Sequence, residues 1–156
     1  MCKMSAVNLA GLADMIEARG GRIVGLSYED TCKDEFLEET KWRHDLLVDE
    51  TSAAYKALEF EKPGCSQCWG LCICCSSVGG WFNKSKKLGF SNNSAGGWLQ
   101  RGGTFLVAGP SGSVMYSHKQ TSEDFEPDTN VIMTKLEATD AERAAFKPYT
   151  DLDAMS

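Results

Sequence analysis

The segment from Gly102 to His118, GGTFLVAGPSGSVMYSH, leaves this chain the least structural choice. Thr104 to Ala108 and Ser113 to His118 are rich in β-branched and aromatic residues. Gly109-Pro110-Ser111-Gly112 between them supplies one preset φ and two glycines free to take positive φ. Such a short turn leaves no room for a crossover helix, so the two runs are predicted to pair as an antiparallel hairpin.

Upstream of the hairpin the pattern alternates helix and strand. From Ser5 to Arg19 the apolar residues Leu9, Leu12, Ala13 and Ile16 recur at helical spacing, and Gly20-Gly21 supplies a stop. Arg22 to Ser27, RIVGLS, carries consecutive apolar side chains, which predicts a central parallel strand covered on both faces. Thr31 with Asp34 is a start signal for a short acidic helix to Thr40 that buries Phe36 and Leu37. His44 to Asp49 reads as a second strand, and Thr51 is placed as the cap of a helix burying Ala54, Tyr55 and Leu58. Beyond the hairpin, Asp128 or Thr129 caps a helix with Ile132 and Leu136 on one face. Thr139 with Glu142 opens another short turn before Pro148.

Helix and strand alternating before a terminal hairpin predict an α/β fold of thioredoxin-like type, with parallel strands and an antiparallel hairpin in one mixed sheet flanked by helices. A single domain over residues 1–156 is expected, with 61–100 as a Cys- and Gly-rich insertion or irregular region.

Net charge and cysteine usage narrow the function. A formal charge of −6 opposes phosphate backbones, and no basic stripe interleaves with aromatics, so nucleic-acid binding is set aside. The N-terminus has no continuous apolar run of the secretory kind, and five of the seven cysteines crowd between Cys65 and Cys75 rather than spreading as a disulfide framework. Reduced thiols and a cytoplasmic location are therefore expected.

Cys65 and Cys68 form a CxxC that follows a predicted helix rather than a strand, which is the wrong context for a redox motif. The cluster has no second pair at zinc-site spacing, and His44 and His118 are remote, so no metal is expected. The favoured reading is packing of small apolar thiols. Residues 63–87, an uncharged run with tryptophans followed by KSKK, also admit a peripheral membrane contact.

Cys2 stands just ahead of the first predicted helix, where unpaired backbone N–H groups and the helix dipole favour a thiolate. Lys3 adds positive charge beside it. Gly102 and Gly103 stand directly before the hairpin, and two readings remain open there. They permit close backbone approach to an active cysteine, or they simply begin a strand. Arg101 is a candidate oxyanion contact with a solvated arginine as the alternative, and His118 reads as a surface residue rather than a base.

Four blocks carry a resemblance to a known family: LAGLADMIEARGGRIVGLS, EFLEET, LLVDETSAAYKALEF and LQRGGTFLVAGPSGSVMYSH. In that order, over the whole length, they resemble the peroxiredoxin-like, AhpC/TSA-type family, in the branch with prostamide/prostaglandin F synthase-like activity. The resemblance implies an antioxidant oxidoreductase that reduces a peroxide or lipid endoperoxide through two thiols. It also implies no bound cofactor and a thioredoxin-like or NADPH-linked source of electrons. Family members open the first helix with CxxC followed by arginine, and alignment through Leu9 and Leu12 puts the second cysteine of that motif on Cys2 and Lys3 in place of the arginine. The first cysteine, and the strand before it, would fall ahead of Met1. The expectation is a protein that begins upstream, the alternative a non-catalytic thioredoxin-fold binding or adaptor module without the first redox cysteine.

Overall fold

The computed structural model describes residues 3–27, 30, 33–60, 86, 89–90, 101–121, 124 and 126–149. All the cysteines lie outside the described residues, as does the run from Pro63 to Asn83, so the readings of Cys2, of the Cys65 to Cys75 cluster and of the membrane-surface segment fall there.

Helix α1 spans Lys3–Ala10 and α2 spans Ala13–Glu17, where periodicity predicts one helix. The path tightens between them, because the Leu12 N–H donates to the Leu9 carbonyl three residues back at 3.0 Å. Gly11 admits the Phe146 ring at this point; a methyl group there would stand 3.2 Å from it. The stop is where the glycines predict. Gly20 adopts a φ of 73°, its N–H donates to the Glu17 carbonyl at 2.8 Å and that of Gly21 to the Ile16 carbonyl at 2.9 Å, which closes the last turn.

Strand β1 (Val24–Ser27) and strand β2 (Asp45–Val48) pair in parallel, from Val24 opposite Asp45 to Ser27 opposite Val48. Helix α3 (Lys33–Thr40) crosses between them. Helix α4 (Ala53–Ala57) follows β2, and its first turn is capped by Asp49 together with the predicted Thr51. The Asp49 carboxylate accepts from the N–H groups of Ala53 at 3.1 Å and Ala54 at 2.8 Å, while the Thr51 hydroxyl donates to Asp49 at 2.9 Å. Thr51 orients the aspartate and its hydroxyl also accepts from the Ala53 N–H at 3.3 Å, while the aspartate makes the shorter contacts. Tyr55 ties α4 back to β1 by donating to the Leu26 carbonyl at 3.2 Å.

The hairpin consists of β3 (Gly103–Ala108) and β4 (Ser113–Lys119), antiparallel, with a register shift between Leu106 and Val107. Gly112 takes the positive φ, 70°. Helix α5 (Thr129–Lys135) starts on Asp128, whose side chain accepts from the N–H groups of Asn130 and Val131. Helix α6 (Asp140–Ala145) starts on the Thr139–Glu142 capping box.

The architecture is the α/β, thioredoxin-like one, with a parallel pair, an antiparallel hairpin and flanking helices. One expectation is corrected. Among the described residues β1–β2 and β3–β4 are separate two-stranded sheets, not one. Among those residues β1 has a strand partner on one edge only, and Val24 is 40% exposed.

Two hydrophobic clusters hold these parts together. Leu12, Met15, Ile132 and Met133 form one, with Leu106 and Tyr116 of the hairpin packed against it. Ala6, Phe36 and Trp42 form the other, packed against Ile23 and Leu46 of the parallel pair. The α1–α2 run therefore lies between the two sheets' cores. Among the described residues no helix is long and apolar enough to cross a membrane.

Candidate functional site

The candidate site is the head of α1, whose first residue is Lys3. Ala6, fully buried against Phe36 and Trp42, seats this turn on α3. Lys3 extends along α3, and its ammonium donates to Glu35 at 2.5 Å and Glu39 at 3.0 Å. Burial opposes the charge on Lys3, but these two hydrogen bonds outweigh it and hold the group above its ordinary range. Sequence reading placed Lys3 as an electrostatic aid to Cys2. The structure gives it two carboxylate partners, so its charge is largely balanced there.

Glu35 and Glu39 belong to the short acidic helix that the sequence predicts. Their i, i+4 spacing puts Glu35 and Glu39 on one face of α3, and that was the available signal. They also line an open pocket of about 390 Å³ together with Phe90 and Tyr149. The two rings stack with centroids 5.4 Å apart. Asn8, buried one turn along α1 from Lys3, accepts from the Tyr149 N–H at 2.7 Å, so this cavity is tied to α1 at two points.

The pair of glycines divides into two cases. Gly103 opens β3 opposite Lys119. A Cβ there would run into the His118 carbonyl oxygen and would stand 2.7 Å from the Phe60 ring. Among the described residues, the close approach that glycine permits is made by these two groups. Gly102 is less constrained, since its Cβ would meet Gln120 at an ordinary 3.4 Å. Its N–H donates to the Gln120 side chain at 2.9 Å and its carbonyl accepts from the Gln120 N–H at 2.9 Å. Arg101 precedes them and is half-buried.

His118 requires a correction. Its side chain, on β4, is only 10% exposed. The Nε2 atom stands 3.1 Å from the Asp124 carboxylate, close enough for an ion pair when protonated. The approach is outside hydrogen-bonding geometry, and both ring nitrogens are left without a hydrogen bond. On the same strand, the Tyr116 hydroxyl accepts from the Asp128 N–H at 2.9 Å. Burial is the main cause that pushes the Tyr116 phenol up.

The AhpC/TSA antioxidant enzyme family model matches residues 8–122, from the first helix to beyond the hairpin. The match begins after Cys2 and Lys3 and so does not bear on either. The chain is 27% identical over 161 residues to the prostamide/prostaglandin F synthase of Sus scrofa, covering all of this chain and 77% of that protein. It is 28% identical over 137 residues to the Homo sapiens protein of the same name, covering 85% and 67% respectively. The corresponding Salmo salar protein is 29% identical over 132 residues, covering 81% and 64%. No solved structure gave a significant match. With the family model spanning both sheets and the helices between them, the chain belongs to the peroxiredoxin-like AhpC/TSA antioxidant enzyme family of thioredoxin-fold oxidoreductases.

Proposed function

We propose that this protein is a thiol-dependent oxidoreductase that reduces a peroxide or a lipid endoperoxide, with prostamide/prostaglandin F synthase-like activity. The observation that carries the reading is the family match across residues 8–122, together with relatives of that name aligned along most of the chain. In this reading Cys2 is the second cysteine of a CxxC and Lys3 its neighbour. Gly102 and Gly103 are the backbone near the reacting sulfur, and Arg101 is an oxyanion contact. The domain spans residues 1–156, with 61–100 as an insertion. A strand ahead of the motif, laid between the edges of β1 and β3 that have no strand partner among the described residues, would join the two sheets.

The chemistry needs two sulfurs. A first thiolate attacks one oxygen of the O–O bond, which breaks, and the other oxygen leaves and takes a proton. For a hydroperoxide the product on the protein is a sulfenic acid. Attack on it by the Cys2 sulfur releases water and leaves a disulfide. For an endoperoxide the first sulfur holds the substrate through an S–O bond until Cys2 displaces it as a second hydroxyl. Two electrons and two protons from a thioredoxin-type or NADPH-linked reductant restore both thiols.

The test compares the 156-residue chain with one extended upstream by a strand and a cysteine three places before Cys2. The short chain is expected to show little or no steady turnover of hydroperoxide or endoperoxide with a thioredoxin system, and the extended chain to be active. Cys2→Ser in the extended chain should abolish recycling while allowing one stoichiometric reaction. Turnover unaffected by Cys2→Ser but lost with Cys65→Ser would move the site to the other CxxC. No turnover by the extended chain would instead favour a binding module.

A further inference from the structure

The segment from Phe146 to Tyr149 leaves α6 and runs back along α1. The Phe146 ring packs against the Leu12, Met15, Ile132 and Met133 cluster and closes on Gly11, where a methyl group would stand 3.2 Å from it. Three residues later the Tyr149 N–H donates to the Asn8 side chain at 2.7 Å. Helical bonding continues through Gly11, whose N–H donates to the Val7 carbonyl at 3.1 Å, so Asn8 and Gly11 share a face. Phe146 meets Gly11 and Tyr149 meets Asn8, so the segment runs antiparallel to α1, toward its head. Phe146 is extended, with a ψ of 122°, and Pro148 has a fixed φ and no N–H, which makes this path stiff before it docks.

Asn8 is the counterpart on the helix. Asparagine is a poor helix former and is mostly exposed in proteins, yet Asn8 lies inside α1, is 8% exposed, and its oxygen serves a backbone group 141 residues away. The Tyr149 ring stacks on Phe90, and both line the open pocket beside Glu35, Glu38 and Glu39 of α3. We propose that Phe146–Tyr149 is a strap, anchored at Phe146 and releasable at Tyr149, that keeps α1 wound. With eight residues α1 is too short to be stable alone. Phe146 is anchored in a buried cluster. At the Tyr149 end, the hydrogen bond and the ring pair border an open pocket, and each shifts an equilibrium by about ten-fold or less. Lifting Tyr149 opens the pocket and removes support from the face of α1 that carries Asn8, which loosens the helix whose head is the candidate site. The strap is a conformational device of the fold and does not depend on the redox chemistry proposed above.

Amide hydrogen exchange of the full chain, read by mass spectrometry on peptides covering α1 and α5, tests the strap without any turnover. Asn8→Ala and Tyr149→Ala are each expected to speed exchange in α1 about ten-fold, the effect of one lost contact at the Tyr149 end. Exchange in α5, which shares the Phe146 cluster, should stay at the wild-type rate in both. The Asn8 variant separates the strap from a local role by sign. Alanine is the better helix former, so without a strap the same substitution would slow exchange in α1. Tyr149→Ala leaves the sequence of α1 intact and carries the test if Asn8→Ala does not fold. Exchange in α1 that is unchanged or slower in either variant overturns the proposal. So does Tyr149→Ala speeding α5 as much as α1, which would make Tyr149 part of the common core rather than a releasable end.

Discussion

Gly103 lies where β3 begins and has protein on both sides. An added methyl group would meet the His118 carbonyl, which is fixed by the strand pairing, and the Phe60 ring, which packs edge-on against Tyr55 and tilted against Phe105. Backbone and an aromatic cluster yield less than the end of a flexible side chain. Gly103→Ala is expected to cost about 1–3 kcal/mol in denaturant unfolding, with Gly102→Ala costing much less because only the Gln120 side chain has to move. Equal losses from the two variants would contradict this account. The same reasoning separates two polar residues of α1. Lys3 stabilises the α1–α3 contact through Glu35 and Glu39, whereas Ser5 is buried with its hydroxyl unused.

At the scale of elements, α4, α5 and α6 are held at their starts by short side chains that replace missing backbone partners. Asp49 is the clearest case, because its two carboxylate oxygens serve the first turn of α4 from outside the helix. Partial burial works against that charge, but the Thr51 hydroxyl and the N–H groups of Ala54, Ala53 and Tyr55 together hold the carboxyl below its usual range. Asp49→Ala should therefore lower the melting temperature more than Thr51→Ala, since the threonine mainly orients the acceptor. Thermal melts of the two variants at neutral pH decide the order, and a larger loss for Thr51→Ala would return the cap to the residue that the sequence suggested. The hairpin is specified more locally. Gly112 takes the left-handed conformation and its N–H donates to the Ala108 carbonyl at 2.8 Å, so the turn closes on itself.

Over the whole molecule, Arg19 binds three helices at their ends. Its guanidinium donates to the Leu136 carbonyl beyond α5 and makes a double contact with Glu142 in α6, at 2.9 and 3.1 Å. Arg19 is the main cause, with the Thr139 N–H and hydroxyl adding, that brings the Glu142 carboxyl from 4.5 down to about 2. A depressed carboxyl stabilises the fold above its ordinary value and loses that contribution as the pH falls toward the folded one. Glu142→Gln is expected to lower stability at pH 7 and to flatten the drop in melting temperature between about pH 4.5 and pH 2. Both partners remain about 30% exposed, so solvent screening keeps the effect modest. An unchanged acid limb in the variant would show that other carboxylates set it.

The hairpin, the stop at Gly20, the capping box at Thr139 and the parallel order of the first two strands were legible in the sequence, because each depends on residues within a turn or two or on the alternation of elements. The four family-like blocks carried the rest of the fold class. Tertiary structure alone decided where Lys3 spends its charge, since its partners lie 32 and 36 residues away. It also decided that the His118 side chain is largely covered and that Gly103 faces Phe60, and among the described residues it separated the two sheets that element order had joined. Local pattern encodes the form of each element through short-range hydrogen bonds and periodicity. The burial of one side chain and the pairing of another depend on which surfaces meet, and those surfaces are brought together only by packing across the chain.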